Sequence, residues 1–288
     1  MFDDVPKASR ISLEFTAEVQ FKLLPYIRNQ RRLRADLSSV IEDKGDEHFA
    51  YRIDEYANRI LFDMLEKYGL NCQVFSEETG WSTHGGQPQY YVICDPYCNS
   101  SLTMRGFRES AAAICITDME GELVSCAICD LQIDRIFYAD RTGAYLWELD
   151  EKRQWLPTQL SVSEIQKLKD AFVVVSLLKL DRRKMLAHES LFQTAKIIHG
   201  VDGAIMIGRL AAGDIDAYLD PFKGQPLYEM PCFEIVLRAG GIVTDVEGTP
   251  FRLSNIINRL AENPKDRFQV VAAGNAQLHR EILKTFGS

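Results

Sequence analysis

Tyr90–Gly106 reads YYVICDPYCNSSLTMRG, and the reading of the fold turns on it. An apolar run ends in Asp95-Pro96 and passes directly into small polar residues, the pattern that sets a carboxylate at a strand's C-terminal edge beside a helix start. Upstream, Phe75–Gly80 (FSEETG) carries the adjacent acids Glu77 and Glu78. Carboxylate oxygens are what Mg2+ prefers, so Glu77, Glu78 and Asp95 are candidates to converge on a hard cation. Taken alone, a solvated glutamate pair and an ordinary Asp-Pro turn remain the simpler reading.

Working outward, Ile11, Phe15 and Val19 recur at helical steps in an amphipathic segment spanning Ser9 to Leu37, which Pro25 should kink or end before the basic RNQRRLR run. A second helix fits Asp54 to Tyr68, closed at Tyr68-Gly69. From Tyr90 the chain turns strand-like: YYVIC, SAAAICIT, LVSCAICDLQ, RIFYAD and GAYLWE, separated by the turn segments DMEGE and ADRTG, predict a largely antiparallel sheet. The polar stretch Asp150–Asp170 marks a boundary between an N-terminal α+β part (1–150) and a C-terminal α/β part (151–288). Beyond it, AFVVVSLL (171–178) predicts a buried strand, Arg182–His199 a helix and Gly203–Ala212 another, the alternation of parallel α/β units. The tail predicts a strand from Phe268, a tight turn at Gly274-Asn275 and a closing helix.

The 288 residues, 46% hydrophobic and 26% charged, have an ordinary globular balance and length enough for one large or two medium domains. A formal charge of −8 argues against a nucleic-acid partner, which needs a basic face for phosphates. The Cys126–Cys129 run CAIC lies in a strand-like stretch, where alternation sends the two thiols to opposite faces, so reduced cysteines are expected rather than a metal knuckle. MFDDVPKASR has no signal pattern, and no apolar run approaches the roughly 18 residues of a membrane helix. A cytoplasmic chain with no membrane partner is expected.

Five segments in order then carry a resemblance: SEET (76–79), DPYCNSS (95–101), GRLAAGDIDAYLD (208–220, read as a helix), FEIVLRAGGIVTDVEGTPF (233–251) and AAGNAQLHREIL (272–283). The sequence resembles the inositol monophosphatase family, whose pattern runs from Gly-Glu-Glu-Ser through Asp-Pro-x-Asp-Gly-Thr and Trp-Asp-x-Ala to Ala-Gly-Gly. The resemblance implies a layered αβαβα sandwich, with the site between the two parts, and a homodimer.

Carried over residue by residue, it makes Glu77 and Asp95 ligands of a first metal position, with the backbone carbonyl of Tyr97. Asp54 and Ser100 fall on the dyad that activates water, and the amides of Asn99, Ser100 and Ser101 on the phosphate site, where a helix start favours anions. Gly203, Ala204 and Asp220 fall on the pocket for substrate hydroxyls, although close packing and a turn would explain them as well. Two family positions are altered: Cys98 replaces an aspartate, and a count without gaps from Ala239-Gly240-Gly241 puts Tyr228 on the other. Glu229 takes its place only if the loop shifts by one residue, and Pro231 stands where the family starts a helix.

A thiol is a soft ligand and a phenol is protonated at neutral pH, so one Mg2+ position is expected and the second is in doubt. Losing one such interaction, about 3 to 4 kcal/mol, slows phosphoester hydrolysis by roughly two to three powers of ten. The resemblance therefore implies a Mg2+-dependent phosphatase of a small sugar or cyclitol phosphate with a reduced metal site. The alternatives are a degenerate member that binds a phosphorylated small molecule or a protein partner, or an enzyme of altered chemistry. Cys98 as a nucleophile would need a base, and the histidines (48, 84, 188, 199, 279) are scattered.

Overall fold

The computed structural model describes residues 2, 5–43, 49–177 and 182–286. Helix α1 (Lys7–Ile27) contains Pro25 in its last turn without ending there. The carbonyl that Pro25 leaves without its helical donor belongs to Phe21, which is 73% exposed, so water can take the bond. Helix α2 (Gln30–Asp36) then starts afresh, its cap Asn29 accepting from the Arg32 N–H at 3.1 Å. Strands β1 (Val40–Asp43) and β2 (Phe49–Tyr51) form a two-stranded antiparallel pair ahead of α3 (Arg52–Tyr68). Gly69, at φ 58°, closes α3 in the left-handed region that glycine adopts freely.

The first large sheet is built from β3 (Cys72–Ser76), β4 (Gly80–His84), β5 (Tyr90–Cys98), then, after the short helix α4 (Ser100–Met104), β6 (Ala111–Asp118), β7 (Leu123–Asp130), β8 (Arg135–Asp140), β9 (Gly143–Leu149) and β10 (Trp155–Gln159). Its eight strands run in the order β10-β9-β8-β7-β6-β5-β3-β4. Every neighbouring pair is antiparallel except β3 and β5. The sheet thus continues past Asp150 through β10, which pairs with β9.

The second sheet follows: β11 (Phe172–Val175), helices α5 (Arg182–Ala187) and α6 (Glu189–Thr194), β12 (Ile197–His199), α7 (Ala204–Ala211), β13 (Ala217–Pro226), α8 (Glu234–Arg238), β14 (Ile242–Asp245), α9 (Leu253–Glu262), β15 (Arg267–Ala273) and α10 (Ala276–Lys284). Its five strands lie in the order β12-β11-β13-β15-β14. Two pairs are parallel and two antiparallel, so the alternation read from the sequence gives a mixed sheet.

Two expected helices differ. Arg182–His199 splits into two short helices and a strand, where Ile197 and Ile198 favour extended backbone. The run 208–220 is helical only to Ala211, because Gly213 turns the chain at φ 73° into β13.

Helices α1 and α3 cover one face of the first sheet with Ile11, Phe15, Leu61 and Leu65. Its other face shares a core with α7, α8 and α9 and with the near face of the second sheet, through Phe137, Ile207, Val236, Ile257 and Tyr218. Leu191 of α6 and Leu278 and Ile282 of α10 close the far face. The layers are therefore αβαβα. Alternation in β7 sends Cys126 into the middle core and Cys129 into the outer one, as the strand period requires.

Gly208 brings α7 down onto the ring of Phe137: a methyl group there would lie 2.4 Å from Phe137 Cδ2. Gly208→Ala is therefore expected to destabilise the chain by about 1 to 3 kcal/mol, read from urea unfolding. An unchanged midpoint would mean that α7 does not press on β8.

Candidate metal and phosphate site

The parallel register of β3 and β5 pairs Ser76 with Cys94. The next residues along, Glu77 and Asp95, thereby become neighbours, and the Glu77 N–H donates to the Cys94 carbonyl at 3.0 Å. Cys94 faces the outer core, so Asp95 faces the middle layer. There it is 1% exposed, its Oδ1 accepts from the Tyr97 N–H at 3.2 Å, and its carboxyl hydrogen-bonds that of Glu77. Burial first, then the negative charges of Glu77 and Glu229, hold Asp95 well above the ordinary carboxylate range.

Cys98 lies three residues beyond Asp95, which in a regular strand would put it on the opposite face. The pairing of β5 with β6 is irregular between Asp95 and Cys98, and this bulge turns both side chains to the same side. The Cys98 sulfur accepts from the Ala204 N–H at 3.3 Å, at the start of α7. Gly203 lies against them at φ 112°; a methyl group there would meet Asn99 Nδ2 at 2.5 Å and Cys98 Sγ at 3.0 Å.

The third arm comes from the turn after β13. The Glu229 N–H closes on the Pro226 carbonyl at 3.1 Å, and Pro231 is the second residue of a 3-10 turn (Met230–Phe233) that leads into α8, a place at a helix start where proline is tolerated. This turn brings the Glu229 carboxyl to the cluster. One ligand atom each from Asp95, Cys98 and Glu229 lie within 4.8 Å of one another. The Tyr228 ring stacks on Phe75 at 5.9 Å and 21°, and burial, then the charges of Glu77, Glu229 and Asp95, push its phenol well above the ordinary range, so it stands beside the same group as a neutral hydroxyl.

Glu229 Oε2 is buried and has no hydrogen-bond partner among the described residues. Burial and then the charges of Asp202 and Glu77 push its carboxyl up, and Arg267 opposes them, although that guanidinium also donates to the Gly224 carbonyl at 2.7 Å. A buried, unpartnered carboxylate oxygen among like charges is the donor set a cation satisfies, and so these residues fit a divalent ion.

Asn99, at φ 65°, occupies the left-handed region, which asparagine tolerates better than most residues. Its Nδ2 donates to the carbonyls of Glu109 (2.8 Å) and Asp202 (2.7 Å), so its side chain ties two loops together. Ser100 is buried and Ser101 exposed at the start of the single-turn α4. Asp54 is buried in the first turn of α3, accepts from the Tyr51 N–H at 2.6 Å, and its charge acts on the Tyr97 phenol. Strand β2, which leads into that turn, packs against α4. Asp220 sits where the pairing of β13 shifts and accepts from the amides of Lys223 (3.3 Å) and Gly224 (3.0 Å) and from Gln225 Nε2 (3.2 Å). Burial raises its pKa to about 6.

The sequence profile of the inositol monophosphatase family matches residues 12–285. The chain belongs to the inositol monophosphatase family. Relatives include a fructose-1,6-bisphosphatase/inositol-1-monophosphatase of Aquifex aeolicus, 24% identical over 85% of this chain and 84% of that protein. A bifunctional NADP phosphatase/NAD kinase of Methanococcus maripaludis is 23% identical over 87% of this chain, which spans only 45% of that protein. Among solved structures, the extragenic suppressor protein suhB of Bartonella henselae superposes with a TM-score of 0.77 at 20% identity, covering 96% of this chain and 97% of that one. The Thermotoga maritima IMPase gives a TM-score of 0.72 at 16% identity, covering 96% of each chain.

Of the positions that the inositol monophosphatase pattern singles out, the structure brings Glu77, Asp95 and Cys98 together and adds Glu229. Gly203 and Ala204 border this cluster through Cys98, and Asp220 reaches it through Asp202 and Gln225, since Gln225 Nε2 lies 3.5 Å from Asp202 Oδ2. Asp202 went unnoticed in the sequence, where only its place directly before Gly203-Ala204 could have flagged it. Its carboxylate also accepts from the Ser176 hydroxyl.

Proposed function

We propose that this chain is a divalent-cation-dependent phosphatase of a small phosphorylated sugar or cyclitol. The observation that carries the reading is the group of half-buried Glu77 with buried Asp95 and Glu229, one Glu229 oxygen being unpartnered among the described residues. Glu77, Asp95 and the Tyr97 carbonyl would hold Mg2+, which supplies positive charge against the phosphoryl oxygens. Asp54 and Ser100 orient a water, whose proton passes to the Asp54 carboxylate as the water oxygen bonds phosphorus. The ester oxygen leaves and takes a proton from solvent. The amides of Asn99, Ser100 and Ser101 bind the phosphate, while Asp220, Gly203 and Ala204 receive the hydroxyls of the leaving group. All seven cysteines are buried and free, in keeping with a reducing compartment, and a cytoplasmic homodimer goes with this reading.

Phosphate release should be assayed from inositol 1-phosphate, fructose 1,6-bisphosphate and NADP at saturating Mg2+, the first two following the names of the Aquifex relative and the third that of the Methanococcus one. Glu77→Gln is expected to lower release by roughly two to three powers of ten. A second reading, binding without turnover, draws on Asn99, whose side chain is committed to the Glu109 and Asp202 carbonyls. It predicts phosphate-ester binding by calorimetry with no release from any substrate.

A further inference from the structure

We propose that Asp95, Cys98 and Glu229 form a binding site for a thiophilic divalent ion of the zinc class, so that the position lacking its family aspartate is rebuilt with a different metal preference. The inference rests on reading Asp95 as a cation ligand and adds the identity of the ion beside it. Three donors of mixed type already lie within 4.8 Å of one another, all on buried residues. Tetrahedral zinc bonds of about 2.0 to 2.3 Å set donors about 3.5 Å apart, so closure asks for a contraction of about 1 Å.

Three protein ligands and one open position are the arrangement of a catalytic rather than a structural zinc site. A purely carboxylate set would favour Mg2+ or Mn2+, whereas one thiolate shifts preference towards zinc and cobalt. The independent pointer is Glu229: the residue is 8% exposed, and its Oε2 is buried with no partner among the described residues. The sulfur is also pre-positioned, because the bulge between Asp95 and Cys98 turns it inward and the Ala204 N–H fixes it at 3.3 Å. On binding, the metal–sulfur bond replaces the S–H bond and the proton leaves to solvent.

The test is a titration of the metal-stripped full chain with Co2+, followed by absorbance. The parent should develop a near-ultraviolet thiolate-to-cobalt charge-transfer band that saturates and that Zn2+ then abolishes by displacement. Cys98→Ser should lack the band and bind cobalt roughly tenfold or more weakly at this position. Glu229→Gln, which keeps the thiol, should shift the midpoint of the band by roughly tenfold or more; circular dichroism checks that each variant is folded. Cobalt bound without the band, no cobalt bound, or a band that survives in Cys98→Ser would overturn the inference. Phosphate release with Mg2+ on the same preparations separates the two readings. Release without the band sinks the zinc-class site alone, and the band without release sinks the phosphatase alone.

Discussion

Asp95→Asn is expected to abolish divalent-ion binding and lower phosphate release by roughly three powers of ten, yet to make the ion-free chain more stable. Asp95 hydrogen-bonds Glu77 and also lies with Cys98 and Glu229, so an ion held by either set uses it. In the ion-free chain the same position is a liability. Its carboxyl is 1% exposed, and burial, then the charges of Glu77 and Glu229, make it hold a proton that the unfolded chain has released. Asparagine keeps an oxygen for the Tyr97 N–H and needs no proton uptake on folding, which should add about 1 to 3 kcal/mol to stability at neutral pH. Urea unfolding with a chelator and calorimetric Mg2+ titration measure the two effects. A loss of ion-free stability in the variant would mean that the carboxylate is a structural element, and that the cluster was not selected for a cation.

Ion-free stability should carry a component that falls as pH rises, and Asp220 isolates it. Its folded pKa is raised from 3.8 to about 6, so in this interval the folded chain holds a proton that the unfolded chain has released. Stability from this group is intact below the unfolded value and is lost progressively up to about pH 6, in total about 3 kcal/mol. Asp95 and Glu229, both raised, extend the loss to higher pH. Glu14, Asp266, His188 and His279 are shifted downward and act in the opposite sense, so the quantity to measure is the difference between the parent and Asp220→Asn. That difference should grow in favour of the variant between pH about 4 and about 6, with the asparagine still accepting from the Gly224 amide. A flat difference would show that Asp220 titrates normally. Saturating Mg2+ should flatten part of the remaining decline, because an ion held at Asp95 replaces the proton that this carboxyl holds.

What was legible in the sequence was what local pattern controls. Alternation over Tyr90–Glu148 gave the strands, and the order of five motifs gave the layers and the pairing of Glu77 with Asp95. What was not legible depends on backbone register. Cys98 reads as a lost ligand until the bulge in β5 turns it to the side of Asp95. A gapless count lands on Tyr228 and leaves Glu229 beside it, but only the turn after Pro226 shows that the Glu229 carboxyl joins Asp95 and Cys98 while the Tyr228 ring stacks on Phe75. Pro231 does not break this segment: it sits in the first turn of the 3-10 stretch Met230–Phe233, which Glu229 caps. The apparent helix 208–220 failed for a similar reason, since its apolar content is shared between α7 and β13 and only the left-handed Gly213 separates them. A consequence for design is that Cys98→Asp alone should raise Mg2+ affinity roughly tenfold or more by calorimetry, without any change at Tyr228.

The most direct test of the Glu77–Asp95 carboxylate group as a divalent-cation site is anomalous diffraction from crystals of the full chain soaked in Mn2+. The expected result is a peak bounded by Glu77, Asp95 and the Tyr97 carbonyl, absent in Asp95→Asn. Manganese bound elsewhere on the chain with this cluster empty at saturating concentration would contradict it.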